Sequence, residues 1–147
     1  MNNLRVKSVP TGIGVASVFA LVACLSGCGD GQPPTYPAGG RVVFTDGSPL
    51  RGGNIEFAPK EGTIKTSARA MIEDDGTFRL STFGDGDGAM GGVYRVSLIP
   101  ARRRGEQVGM APRSLDGKYQ DPNSSGLEAT VSPDSPNEFE FVVQSSK

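Results

Sequence analysis

Two cysteines, Cys24 and Cys28, lie four positions apart and are the residues of this chain with the most distinctive chemistry. Such a pair could form a disulfide, hold a metal ion or provide a thiol for modification. A disulfide between them would close a very short loop and would stabilise little. A metal site needs more ligands than two thiolates can supply in a chain without histidine, unless carboxylates contribute. The residues around the pair therefore decide its interpretation.

The segment before these cysteines has the layout of a secretory signal. Residues 1–8 are polar and contain Arg5 and Lys7 but no acid, and residues 9–23 are largely apolar. A basic start followed by a short apolar stretch is typical of a signal peptide. The stretch is too short and too rich in glycine to be a convincing transmembrane helix.

The cysteines themselves lie in two tetrapeptides, LVAC and LSGC, that resemble the bacterial lipoprotein signal. The resemblance implies that the thiol is alkylated with diacylglycerol, that the chain is cut just before the cysteine, and that the new amine is acylated with a fatty acid such as palmitate. We favour Cys28, which makes residues 1–27 the signal peptide; cutting at Cys24 would leave a second, free thiol. Residues 28–38 then form the lipidated end and a flexible Gly/Pro tether. Two or three acyl chains, at about 0.8 kcal/mol per buried methylene, hold a protein stably at a membrane.

Four aspartates could offer oxygen ligands to a hard cation such as calcium. Asp85 and Asp87 alternate with glycines in GDGDGAMGG, and Asp74 and Asp75 come shortly before them. The further oxygen ligands and the bidentate glutamate of a calcium loop are missing. We therefore favour a glycine-rich turn over a metal site.

Two other groups are weak candidates for binding. Arg102, Arg103 and Arg104 form a basic cluster that could hold a phosphate, an acidic glycan or a lipid headgroup, although such clusters are more often simply solvated. Tyr119 could stack on a sugar or fasten its own loop to the domain, and we favour the second role.

The composition argues against catalysis and against nucleic-acid binding. The chain has no histidine, and none of its 16 acidic residues stands in a context that marks a catalytic pair. Fifteen basic residues against those 16 acids leave no basic footprint for nucleic acid. We predict a protein that is not an enzyme and that has no cofactor other than the covalent lipid.

The elements that must position these groups are short strands. The chain of 147 residues is about one domain long, and 21 Gly with 11 Pro indicate many tight turns. Apolar and polar residues alternate with the period of two that is typical of β-strands. The pattern predicts strands at residues 40–45, 54–59, 66–73, 78–83, 93–100, 127–131 and 137–143.

Seven such strands in a short chain predict an all-β fold, a seven-stranded antiparallel Greek-key β-sandwich over residues 39–145. The turn DDGT indicates that the third and fourth strands form a hairpin. The long connection at 101–126 is expected to cover a sheet edge and could contain a short helix or an extra strand.

The run GRVVFTDGSPLRGGNIEFAP, followed by DDGTFRLSTF and GDGAMGGVYRVSL, resembles the carboxypeptidase regulatory-like and transthyretin-like modules. The resemblance covers residues 39–143. It implies a transthyretin-like (prealbumin-like) sandwich that serves as a non-catalytic accessory or adhesion module of a bacterial lipoprotein. The branch of the family that hydrolyses 5-hydroxyisourate depends on histidines and on a C-terminal Tyr-Arg-Gly-Ser. This chain ends in QSSK and has no histidine, so that activity is not expected.

The resulting expectation is a lipid-anchored, extracytoplasmic module of the bacterial cell envelope that faces the periplasm or the exterior. Its role would be binding, adhesion or envelope structure, with the membrane and an envelope protein or glycan as partners and no nucleic acid. The alternative is a carbohydrate- or cation-binding accessory protein to an envelope enzyme or transporter. The scarcity of aromatic residues, no Trp and three Tyr, counts against sugar binding.

Overall fold

Short strands are the main secondary structure of the described residues. The computed structural model describes residues 31–60, 62, 64–101 and 114–146. In chain order its strands are β1 (Thr35–Tyr36), β2 (Gly39–Phe44), β3 (Asn54–Pro59), β4 (Ala68–Met71), β5 (Thr77–Arg79), β6 (Ala89–Met90), β7 (Gly92–Ile99), β8 (Leu127–Val131) and β9 (Glu138–Val143). A 3-10 helix, Gly117–Gln120, lies between β7 and β8. The all-β prediction is confirmed, and each of the seven predicted runs overlaps a strand.

The strands form three sheets, with the orders β5-β2-β9, β4-β3-β7-β8 and β1-β6. All neighbours are antiparallel except β2 and β9, which run parallel from the pair Gly39–Glu138 to the pair Phe44–Val143. The prediction of a wholly antiparallel arrangement is wrong at this pair. The physical reason is that alternation has the same period in either direction, so it reveals which face of a strand is buried and not how its neighbour runs.

The predicted hairpin around DDGT is also only partly correct. The turn exists, because the Glu73 N–H donates to the Thr77 carbonyl oxygen at 2.8 Å. The strands on either side, however, belong to different sheets and are joined only by isolated bridges, Arg69 to Ser81 and Ile72 to Phe78. The turn therefore carries the chain from one sheet to the other instead of continuing a single ladder.

The two larger sheets share one core, and Phe57 of β3 lies at its centre. Its ring centroid is 6.2 Å from that of Phe78 and 6.0 Å from that of Phe141, both on the opposite sheet, and 5.9 Å from that of Tyr94 on its own sheet. Burying a side chain of this kind contributes about 1.5–3 kcal/mol. The alternation predicted the inward faces of β3 and β7, where Ile55, Phe57, Tyr94, Val96 and Leu98 are fully buried.

The smallest sheet lies in the stretch that the sequence assigns to the tether. Thr35 pairs with Met90 and Tyr36 with Ala89. Gly88 allows this approach, because its φ is +89° and a Cβ there would overlap the carbonyl oxygen of Tyr36. Strand pairing therefore already includes β1, before the residue 39 at which the pattern places the domain.

The described end of the long connection pairs with the chain just beyond β9. The Asp116 N–H donates to the Gln144 carbonyl oxygen at 3.2 Å, and Leu115 forms a bridge with Ser145 just beyond β9. The 3-10 helix that follows begins at an Asp116 side chain that accepts the Lys118 N–H at 3.0 Å. A short helix in this connection is thus confirmed.

Candidate functional site

Hydrogen bonds fasten the point where the tether enters the domain. The Leu80 N–H donates to the Ala38 carbonyl oxygen at 2.9 Å, and the Gly39 N–H donates to the Asn137 carbonyl oxygen at 3.1 Å. The Asn137 side-chain amide donates to the Pro37 carbonyl oxygen at 3.3 Å. We call these five residues, Pro37, Ala38, Gly39, Leu80 and Asn137, the entry clamp. It holds the incoming chain from both sides.

Asn137 owes its place in the entry clamp to an unusual backbone conformation. Its φ is +47°, in the left-handed region that asparagine tolerates better than most residues, and it is only 3% exposed. Its Oδ1 accepts the Ser132 N–H at 2.9 Å, and its Nδ2 donates to the Ser132 carbonyl oxygen at 3.0 Å. The sequence analysis missed this residue. The available signal was an asparagine between Pro136 and Glu138, immediately before a strand.

The glycine-rich loop that contains Asp85 and Asp87 is organised by one of these carboxylates. Asp87 accepts N–H groups from Thr82 at 2.7 Å, Phe83 at 3.0 Å and Gly84 at 3.1 Å. Partial burial raises the pKa of Asp87, but these N–H donors outweigh it, so its pKa lies below the ordinary value of 3.8. Both carboxylate oxygens therefore already serve the loop, as the turn interpretation predicts.

The other candidate ligands for a cation lie in separate settings. Asp75 accepts the Thr77 hydroxyl at 2.6 Å and the Thr77 N–H at 2.9 Å, and these two bonds lower its pKa. Asp74 lies in the same turn, and Asp85 is exposed in the other loop. Within the described ranges, no group of three or more Cys, His, Asp and Glu side chains is placed to hold a metal ion.

A shallow depression of about 310 Å³ opens on the outer face of the β5-β2-β9 sheet. Its charged lining consists of Arg41, Glu138 and Glu140. The Arg41 Nε lies 3.9 Å from a Glu140 carboxylate oxygen, and both side chains are at least half exposed. An exposed pair of this kind contributes about 0–1 kcal/mol. One cation against two carboxylates makes the depression mildly acidic, which does not favour phosphate or nucleic acid.

Tyr119 is buried instead of being presented to a ligand. It is 5% exposed, belongs to the hydrophobic core, and its hydroxyl oxygen accepts the Gln144 N–H at 3.2 Å. The Lys118 ammonium lies 4.8 Å from the ring centroid. The favoured role, fastening the connection to the domain, agrees with this position, whereas a stacking platform would need an open ring face.

The remaining candidates lie outside the described residues. These are the two cysteines and the basic cluster, namely Cys24, Cys28, Arg102, Arg103 and Arg104. Within the part of the chain that the structure describes, no helix is long and apolar enough to cross a bilayer.

Comparison of the chain with protein-family models, with characterised proteins and with solved structures returns no match. The family resemblance noted in the sequence therefore stays a prediction.

Proposed function

We propose that this chain is a lipid-anchored, non-catalytic module of the bacterial cell envelope, attached to the membrane through Cys28 and acting in adhesion, binding or envelope structure. One observation carries the proposal: the first strand of the described domain lies very close in the sequence to the proposed anchor. Only residues 29–34 separate Cys28 from β1. The seven residue-to-residue steps from Cys28 to Thr35 span at most about 25 Å when fully extended. A domain on so short a tether acts at the membrane surface.

We propose that the seven strands β2–β5 and β7–β9 form a Greek-key sandwich of the transthyretin-like and carboxypeptidase regulatory-like kind, over residues 39–145. The two larger sheets support this fold, because they face each other across the aromatic rings around Phe57. The parallel pair β2–β9 is an addition to the antiparallel scheme. The proposed role as an accessory or adhesion module follows from this fold only by analogy.

The contacts of the candidate residues support a structural instead of a catalytic role for them. Asp87 and Asp75 accept hydrogen bonds from their own loops, Arg41 lies beside Glu140, and Tyr119 fills the core. Groups that act on a substrate need free donor or acceptor capacity directed at it. In Asp75, Asp87 and Tyr119 this capacity is used to hold the chain's own loops in place.

The anchor is tested by comparing Cys28→Ser with the matched variant Cys24→Ser in a bacterial host. Each chain is labelled with a palmitate analogue, separated into membrane and released fractions, and analysed by mass spectrometry of its mature N-terminus. We expect the Cys24→Ser chain to begin at a triacylated Cys28, and the Cys28→Ser chain to lose the label and its membrane attachment. Retention of the label in Cys28→Ser alone would move the anchor to Cys24. An unlabelled wild-type chain that keeps residues 1–27 would refute the proposal.

A further inference from the structure

We propose that the domain is built to resist traction along its N-terminal tether, so that a pull on the anchor is opposed by shear of β2 between two neighbouring strands. This mechanical function rests on the proposed lipid anchor for its biological meaning. Its physical basis is three features of the described residues: the central position of β2 in its sheet, the parallel direction of β9, and the entry clamp.

The strand that receives the tether is the central strand of its sheet. β2 pairs with β9 over six residue pairs, from Gly39 to Phe44, and with β5 over three, from Gly39 to Arg41. A terminal strand at a sheet edge could be removed by breaking one ladder. Extraction of β2 must break two ladders.

The geometry of the pull determines how these ladders fail. A force directed out of the N-terminal end of β2 acts along the strand axis and therefore across the inter-strand hydrogen bonds, which are perpendicular to the strands in the antiparallel β2–β5 ladder and slanted in the parallel β2–β9 ladder. The bonds of both ladders then resist together. A force that separates the C-terminal ends of β2 and β9, where Phe44 faces Val143, would instead open the same ladder one pair at a time.

Sliding is opposed by the core as well as by the hydrogen bonds. Val42 and Phe44 of β2 are buried, whereas Arg41 of the same strand is exposed on the opposite face. Because side chains alternate, a slip of β2 by one residue would bring Arg41 towards the core and expose its apolar neighbours. Each step of sliding therefore meets an unfavourable register before it reaches the next allowed one.

The entry clamp directs the traction into this ladder. Asn137 immediately precedes β9 and holds both Pro37, through its side chain, and Gly39, through its backbone. The other side of the clamp is Leu80, which follows β5 and holds Ala38. A pull on the tether thus reaches the start of β9 and the end of β5, the two strands that flank β2, before it can loosen β2 itself.

The test is single-molecule force spectroscopy on the full chain made by cell-free translation without membranes, so that no lipid is attached. A Cys24→Ser chain leaves Cys28 as its single thiol, and one handle is attached there and the other at the C-terminus. For the second direction, a Cys24→Ser, Cys28→Ser, Thr45→Cys chain carries its thiol just after β2, with the same C-terminal handle. Thr45 is exposed. The two direction tests differ only in where the force enters.

We expect the unfolding force to be severalfold higher when the pull enters at residue 28, which shears β2, than at residue 45, which unzips β2 from β9. In the residue-28 direction, Asn137→Gly removes the side-chain part of the entry clamp and should lower the unfolding force. Glycine tolerates the positive φ of this position, so the substitution does not strain the backbone. The control is Ile55→Val, in the core of the other sheet, with the equilibrium midpoints of both variants measured. Forced unfolding is governed by the unfolding barrier and not by equilibrium stability, so the control should leave the force nearly unchanged.

Equal forces in the two directions would overturn the inference, as would a loss of force in Ile55→Val as large as that in Asn137→Gly. The outcome is independent of the lipid, because the handle replaces it. A directional force in a chain whose wild type proves to be unlipidated would refute the anchor and leave the mechanical property of the domain standing. A lipidated chain whose unfolding force is the same in both directions would refute the mechanical property and leave the anchor standing.

Discussion

The Asn137 side-chain amide donates a hydrogen bond to the Pro37 carbonyl oxygen at 3.3 Å, although 100 positions separate the two residues in the chain. This contact joins the end of the tether to the turn before the last strand. Because Asn137 also accepts from and donates to Ser132, its side chain fixes that turn and the tether at once. The junction between tether and domain is therefore part of the fold and not a loose connection.

The first prediction concerns this amide. Asn137→Asp replaces the donor by a carboxylate that faces the carbonyl oxygens of Pro37 and Ser132, so both lose a partner and gain repulsion. We expect a loss of about 1–3 kcal/mol in the free energy of unfolding, measured by urea denaturation at neutral pH. Asn54→Asp, at an exposed position of β3, is the control and should change it by less than about 0.5 kcal/mol. Equal losses in the two variants would contradict a specific role for the entry clamp.

The second prediction concerns the loop held by Asp87. Asp87→Ala leaves three backbone N–H groups without their acceptor and should cost about 1–2 kcal/mol at pH 7. Asp85→Ala, two residues earlier and exposed, is the matched control and should change stability little. Chemical denaturation of the three chains under identical conditions measures both effects. A larger loss in Asp85→Ala would show that the other carboxylate organises the loop.

The third prediction is the pH dependence of that effect. The pKa of Asp87 in the folded protein lies below the ordinary value of 3.8, so the folded state favours the ionised carboxylate. Its contribution is present above the unfolded-state pKa and is lost as the pH falls below about 3.8 and through the folded-state pKa. The stability difference between wild type and Asp87→Ala should therefore shrink on acidification in that window, as followed by urea titrations at several pH values. A difference that stays constant down to complete acid protonation would contradict the pKa direction.

The fourth prediction concerns the pairing of β1 with β6. Gly88→Ala places a Cβ against the Tyr36 carbonyl oxygen at a φ of +89°, so we expect β1 to detach. Limited proteolysis followed by mass spectrometry should then show faster cleavage within residues 31–38 than in wild type. Gly84→Ala is the control in the same loop, because a Cβ there meets no atom within 4 Å. Unchanged cleavage in Gly88→Ala would mean that β1 tolerates the displaced backbone.

The fifth prediction concerns Tyr119. Tyr119→Phe keeps the buried ring and removes the acceptor of the Gln144 N–H, which should cost about 0.5–1.5 kcal/mol. Tyr119→Ala also removes the ring from the core and should cost about 3–5 kcal/mol. Thermal and urea unfolding of both variants measure the two losses of stability, and the loss should be larger in Tyr119→Ala. A Tyr119→Ala chain as stable as wild type would contradict the anchoring role.

Much of the fold follows from local patterns in the sequence. Alternation with period two correctly identifies the inward residues of β3, β7 and β9, because the choice of face depends only on successive residues of one strand. Aspartate followed by glycine correctly marks the turns at 46 and 75, since the aspartate accepts N–H groups two residues ahead and glycine accepts the positive φ. The glycine-rich interpretation of the Asp85–Asp87 stretch agrees with the structure for the same local reason.

The structure alone shows how these pieces are joined. The parallel direction of β9 beside β2, the division of β4 and β5 between two sheets, and the pairing of β1 with β6 have no counterpart in any local pattern. A two-residue strand is too short to show a period, and the choice of a strand's neighbour depends on contacts between distant parts of the chain. The sequence by itself therefore determined the strands, their buried faces and their turns, whereas the tertiary structure decided the strand neighbours and the entry clamp, because a hydrogen bond such as that between Asn137 and Pro37 exists only after the chain between them has folded.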